Sequence, residues 1–142
     1  MHELNQPVSA LIREVAETIV LPRFRNLSAD EKSEKAPDDW VTIADKESEA
    51  RLSEGLAALL PDARVIGEEA CAADPAILDS VGTGTQWIID PVDGTGNFAA
   101  GRAPFGIMVA LAQGDETVAG WIYDPLNQRM CHAVRGGGAF IN

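Results

Sequence analysis

The sequence predicts an α+β fold in which two N-terminal helices precede a mainly antiparallel sheet. Three observations predict it. Apolar residues recur at helical spacing near the N-terminus, and turn-bounded apolar runs fill the C-terminal part. Residues 1–80 hold 17 Asp/Glu and 8 Lys/Arg, whereas residues 81–142 hold 5 and 3. Residues 81–142 also carry 11 of the 13 glycines, so the chain turns from charged and helical to turn-rich near residue 80. At 142 residues the length suits one domain with a real core.

Val8, Leu11, Ile12, Val15 and Ile19 line one face of the first helix, and Pro22 ends or kinks it. Residues 28–40 are polar and contain proline, and read as an exposed, mobile loop. Thr42 to Asp45 fits a capping box, with the Thr hydroxyl and the acid satisfying free amides of a new helix. Leu52, Leu56, Leu59 and Leu60 give that helix its apolar face, and Pro61 closes it. Arg64-Val65-Ile66 and Trp87-Ile88-Ile89 are short strands. From Phe105 the pattern is a meander: strands at Phe105–Ala112, Thr117–Tyr123, Arg129–Val134 and Ala139–Ile141, with turns between them.

With 22 acids against 11 bases, the net charge is −11, which disfavours phosphate-backbone binding and a polybasic membrane contact. The longest apolar run, Gly106 to Ala112, is far below the ~20 residues of a membrane span. The N-terminal residues have no basic stretch followed by an apolar one, so a cytoplasmic location is expected. Cys71 and Cys131 form no CxxC and read as reduced thiols.

The chemistry gathers at strand ends, where a sheet opens into a crevice. Glu68 and Glu69 follow one strand; Asp90 ends another, and Asp93 follows three residues later. Pro91 stiffens the link, so the two aspartates can aim at one point. Crowded carboxylates repel unless a proton or a cation relieves them, and Mg²⁺ prefers such oxygens. Gly94-Thr95-Gly96-Asn97-Phe98 follows; if Thr95 opens a helical turn, its free amides suit a phosphate. Metal carboxylates beside a phosphate cradle are the ingredients of metal-assisted ester hydrolysis. Each piece also has a plainer reading: Asp-Gly as a turn, Glu68-Glu69 as a solvated pair, Thr42/Asp45 as a cap. His2 and His132 have no partner at ligand spacing and read as ordinary surface or strand residues. The glycine spacing 94–101 is not that of a dinucleotide fold, and the twelfth position from Asp90 is Gly101, not the Glu of an EF-hand.

Together, Gly67-Glu68-Glu69 and the run Trp87-Ile88-Ile89-Asp90-Pro91-Val92-Asp93-Gly94-Thr95-Gly96-Asn97-Phe98 resemble the inositol monophosphatase family of lithium-sensitive, Mg²⁺-dependent phosphatases. The second run matches the family's W-x-x-D-P-[IV]-D-G-T-x-N-F element. Val41-Thr42 before Asp45, Pro104-Phe105, Gly120 to Pro125 and Gly136 to Asn142 support it. The resemblance implies a layered α+β sandwich with two or more Mg²⁺ ions held by Glu68, Asp90, the Val92 carbonyl and Asp93. It implies a phosphate cradle at Asp93, Gly94 and Thr95, and a catalytic pair, Asp45 and Thr95, that orients and deprotonates the attacking water. It also implies a small phosphorylated substrate and a homodimer.

Electrostatics agrees with the metals. At an effective dielectric of about 20, unit charges about 4 Å apart interact by roughly 4 kcal/mol. A phosphate monoester carries about two negative charges at neutral pH. Without cations, Glu68, Asp90 and Asp93 would repel it, and two Mg²⁺ nearly balance the total.

Two departures stand out. The family fold is nearly twice as long, with a second α/β half bearing another aspartate ligand. The chain therefore corresponds to an N-terminal α+β domain over 1–142, of which weak or absent turnover is expected alone. Gly96 replaces the side chain many members carry there. The expected function is Mg²⁺-dependent hydrolysis of an inositol monophosphate-like ester. Alternative substrates are a sugar bisphosphate, a 3′-phosphoadenosine nucleotide or histidinol phosphate. A non-catalytic metal- and phosphate-binding module, or an inactive fragment, is the other class.

Overall fold

In the computed structural model, which describes residues 2–142, the amphipathic stripe at the N-terminus forms helix α1 (Asn5–Val15). Val8, Leu11, Ile12 and Val15 are buried along it. The helix loosens into a π turn (Ala16–Val20) and tightens into a 3₁₀ turn (Leu21–Arg23), where Pro22 sits at the start. Helix α2 (Ile43–Leu59) begins at the Thr42 capping box and buries Leu52 and Leu56 completely. Each such leucine is worth about 1.5–3 kcal/mol of apolar burial. The two helices meet closely at Gly55, where a Cβ would lie 2.6 Å from Leu11 Cδ2.

Residues 28–40 correct the loop expectation. They hold a 3₁₀ turn (Ala29–Glu31) and most of a hairpin of β1 (Lys32–Ala36) and β2 (Asp39–Thr42), which runs on two residues further. Most of the hairpin is exposed, as its polarity suggests. What orders it is tertiary: half-buried Trp40 and buried Val41 bring β2 against the short helix α4 (Thr95–Ala99), and the Lys32 ammonium donates to the Ala99 carbonyl. Polar composition carries no sign of those contacts.

The main sheet has six strands in the order β3 (Arg64–Gly67), β4 (Thr85–Asp93), β5 (Gly106–Gln113), β6 (Glu116–Asp124), β7 (Arg129–Val134) and β8 (Gly138–Ile141). Only β3 and β4 run parallel. That pairing requires a crossover, supplied by helix α3 (Glu68–Ala73) and the 3₁₀ turn Pro75–Ser80. Every other pairing is antiparallel, as the meander predicts. Asp90 does not end its strand: β4 continues to Asp93, with a register break between the two aspartates. Pro91 lies in that break because it has no N–H to give the ladder.

Trp87, Ile89, Val109, Leu111 and Trp121 face α1 and α2 in one core. The opposite sheet face, including Ile88, Met108, Ile122 and Ile141, lines an open apolar groove of about 640 Å³. No helix among the described residues is long and apolar enough to cross a membrane. Cys71 and Cys131 are both free thiols.

His132 is not the ordinary strand residue expected. It is buried, stacks on Trp121, and lies between two fixed partners. Nε2 accepts the His2 backbone N–H at 3.3 Å, while Nδ1 sits 3.2 Å from the Gly120 carbonyl. These assign the neutral Nδ1–H form, since protonating Nε2 would oppose an N–H to an N–H. Burial holds the imidazole pKa below its usual value. The unfolded chain therefore binds the extra proton more readily, and stability falls as pH drops below ~6.5. In melting curves from pH 7.5 to 5, His132→Phe keeps the stack and is expected to show a shallower loss of stability than the wild type. Parallel profiles would refute this.

Candidate active site

Four chain segments meet here, each ordered by its own local rule. Asp45 occupies the third position of α2. The Thr42 N–H donates to Asp45 Oδ2 at 2.8 Å and the Thr42 O–H at 2.7 Å. Thr42 Oγ1 in turn accepts the Ala44 and Asp45 amides. The cap engages only one carboxylate oxygen. The other, Oδ1, lies 2.8 Å from Thr95 Oγ1, across fifty residues of sequence. Asp45 is fully buried, and burial raises its pKa against the lowering effect of the Thr42 and Thr95 hydrogen bonds. One side chain therefore both caps α2 and reaches Thr95.

Thr95 opens α4, as expected, and Gly94 precedes it with φ +83°. Only glycine fits there: the conformation is left-handed, and a Cβ would stand 2.9 Å from the Pro104 carbonyl oxygen. Asn97 Nδ2 donates to the same carbonyl at 2.9 Å. Phe98 anchors the turn in the core against Phe24 and Phe105. The first-turn amides of α4 have no acceptor within the helix, which is the usual basis of anion binding. The Val92 carbonyl, also 2.8 Å from Thr95 Oγ1, competes with Asp45 for the single hydroxyl hydrogen and has lone-pair capacity for another partner. Gly96 has open space: a Cβ would touch only Trp40 Cδ1, at 3.8 Å. Its lack of a side chain answers no steric need.

Glu68 opens α3 directly after β3, and faces Asp90. Burial pushes the Asp90 pKa up to about 8, reinforced by Glu68 and by the charges of Asp93 and Asp45. Asp90 Oδ1 and Glu69 Oε1 are buried without a hydrogen-bond partner. Among the described residues, no three His, Cys, Asp or Glu side chains converge as a ready-made metal cluster. The approach is the crowding of Glu68, Asp93 and Asp45 around Asp90. An orphaned carboxylate oxygen among all-oxygen donors fits a hard divalent cation.

Two participants escaped the sequence reading. The Lys35 ammonium reaches over from β1, 3.6 Å from Glu69 Oε2, 3.8 Å from Asp39 and 4.0 Å from Glu68 Oε1. Partial burial lowers the Lys35 pKa, but Glu69, Glu68, Asp39 and Asp45 outweigh it and leave it raised. Glu49 is buried on α2 and accepts two amides of α3. Its signal was available: an acid on the same helical stripe as Asp45, Leu52 and Leu56.

Helices laid on a largely antiparallel sheet, with acids grouped at β3 and β4 and a glycine-led turn beside them, define a layered α+β domain with a carboxylate site. The chain belongs to the inositol monophosphatase family, whose sequence model matches residues 1–142. It is 33% identical to an inositol-1-monophosphatase of Bacillus subtilis over 140 residues, 99% of this chain and 51% of the relative. It is 36% identical to a protein of Haemophilus influenzae named Nus factor SuhB, over 89% of this chain and 46% of that one. The Thermotoga maritima IMPase structure superposes with a TM-score of 0.80 at 27% identity, covering 100% of this chain and 52% of that one. A Staphylococcus aureus enzyme, SaIMPase-II, solved with inositol monophosphate bound, gives 0.73 at 25% identity, covering 99% and 47%. The chain thus spans about half the length of the relatives it matches.

Proposed function

We propose that this chain carries the metal- and phosphate-binding part of a phosphomonoesterase that hydrolyses an inositol monophosphate-like ester with Mg²⁺. The observation that carries the reading is Asp90: crowded by Glu68, Asp93 and Asp45, with one oxygen buried and unpaired. Glu68, Asp90, Asp93 and the Val92 carbonyl would hold the metals. Bound there, Mg²⁺ would supply positive charge to phosphoryl oxygens and acidify a water. The amides of Gly94 and Thr95, beside Asp93, hold the phosphate. Thr95 Oγ1 passes its proton to Asp45 Oδ1, and its lone pairs accept one from a water aimed at phosphorus. Burial makes Asp45 a stronger base than an exposed aspartate. Family membership and relatives named inositol-1-monophosphatase support the reading. The remaining length of those relatives would complete the pocket, so the 142 residues alone turn over weakly. A homodimer and a cytoplasmic location belong to the same proposal.

The test is phosphate release from inositol monophosphate with Mg²⁺, and again with excess chelator. Release that stops with chelator and returns with Mg²⁺ is expected. Release that persists in chelator overturns the proposal. The Nus factor name of several relatives favours one second reading, a non-catalytic module whose role is something other than turnover. Metal binding with no release from any family-length form would select it.

A further inference from the structure

Helix α2 presents a second acid to the site, four residues after Asp45 and therefore on the same face. Glu49 is 8% exposed and divides its oxygens between two donors. Oε1 accepts the Glu69 N–H at 2.7 Å, and Oε2 accepts the Ala70 N–H at 2.8 Å. These are the second and third amides of α3, whose first residue is Glu68. The preceding glycine belongs to the same arrangement. Gly67 has φ −108°, a conformation open to any residue, so backbone freedom does not explain it. Space does: a Cβ on residue 67 would overlap Glu49 Cδ and both carboxylate oxygens.

We propose that Glu49 is a positioning residue for the metal site. Its carboxylate fixes the first turn of α3 and with it the direction in which Glu68 presents its oxygens. Residue 67 is glycine so that this carboxylate can enter. The inference rests on the reading of Glu68 as a Mg²⁺ ligand. One turn of α2 then aligns both halves of the site, Asp45 through Thr95 and Glu49 through α3.

Calorimetric Mg²⁺ titration of the full chain tests it, alongside amide exchange at Glu69 and Ala70. Glu49→Gln keeps one acceptor and loses the other, and Glu49→Asp keeps the charge but is one methylene too short. Both are expected to weaken Mg²⁺ binding about tenfold or more, the usual range for partners that orient a ligand. Gly67→Ala, which displaces Glu49, gives the same weakening. Leu56→Val, on the same helix but away from α3, lowers Tm and leaves the Mg²⁺ Kd unchanged. Wild-type Kd in both Glu49 variants, with amide protection lost, makes the contact merely structural and overturns the inference. So does wild-type affinity in Glu49→Asp alone, which would assign the effect to charge. A wild-type chain that binds no Mg²⁺ fails differently: it removes the metal reading of Glu68 itself.

Discussion

Asp45→Asn lowers phosphate release by about a hundredfold or more while leaving Tm within about 3 °C of the wild type. The two oxygens of Asp45 explain the split. Asn can keep its oxygen toward the Thr42 N–H and O–H and so preserve the cap. Its amide then faces Thr95 Oγ1, where the carboxylate accepts the hydroxyl hydrogen bond. A lost general base typically costs about 10²–10⁴ in rate. Asp45→Ala should lose both roles. It strands the Thr42 N–H and O–H in a fully buried setting, where each unsatisfied group costs about 1–3 kcal/mol. The expected destabilisation is about 3 kcal/mol, a fall in Tm near 10 °C for a domain of this size. Steady-state rates and melting curves on both variants check this. Equal loss of rate and stability in Asp45→Asn would show that Asp45 is only a cap.

Asp90→Asn has the opposite signature: the metal-free chain is at least as stable, and Mg²⁺ no longer stabilises it. Burial, reinforced by the surrounding carboxylates, pushes the Asp90 pKa up to about 8. A carboxyl whose folded pKa is raised takes up a proton on folding. Its contribution is complete below the unfolded value of about 3.9 and fades as pH rises through 8. Asn mimics the protonated carboxyl and removes that slope, so the variant gains on the wild type between about pH 4 and 8 and no further above it. On the proposed metal reading it also removes an anionic ligand, which should weaken Mg²⁺ binding by about a hundredfold or more, beyond the 10–100-fold usual for an outer partner. Melting with and without Mg²⁺ reads both effects, because a ligand that binds only the folded chain raises Tm. A Mg²⁺-induced rise in Asp90→Asn equal to the wild type's would remove Asp90 from the metal site.

These contrasts follow from features of different legibility. The stripe Val8-Leu11-Ile12-Val15, the Thr42–Asp45 cap and the Phe105 meander could be read directly, because each is a local pattern with a local cause. The hairpin of residues 32–42 could not. Its charges resemble a loop, and Trp40 and Lys32 order it against α4, more than fifty residues away. Asp90 was legible as one of a group of carboxylates but not as a mid-strand residue, since the register break depends on the β5 partner. His132 was missed because a lone histidine has no pattern, and its protonation preference comes from burial and from partners at His2 and Gly120, both distant in sequence.

By itself the sequence determined the fold class and the family, because local periodicity and a long contiguous motif survive without knowledge of contacts. Only the tertiary structure decided how the acids of the candidate site are held. Asp45 divides its oxygens between a cap and Thr95, Glu49 fills the space that Gly67 leaves open, and Lys35 spans Glu68 and Glu69. The physical reason is that hydrogen bonds, burial and Coulomb forces act over distances in space. Residues fifty positions apart acquire a joint role only when the sheet and helices bring them within about 3 Å of one another.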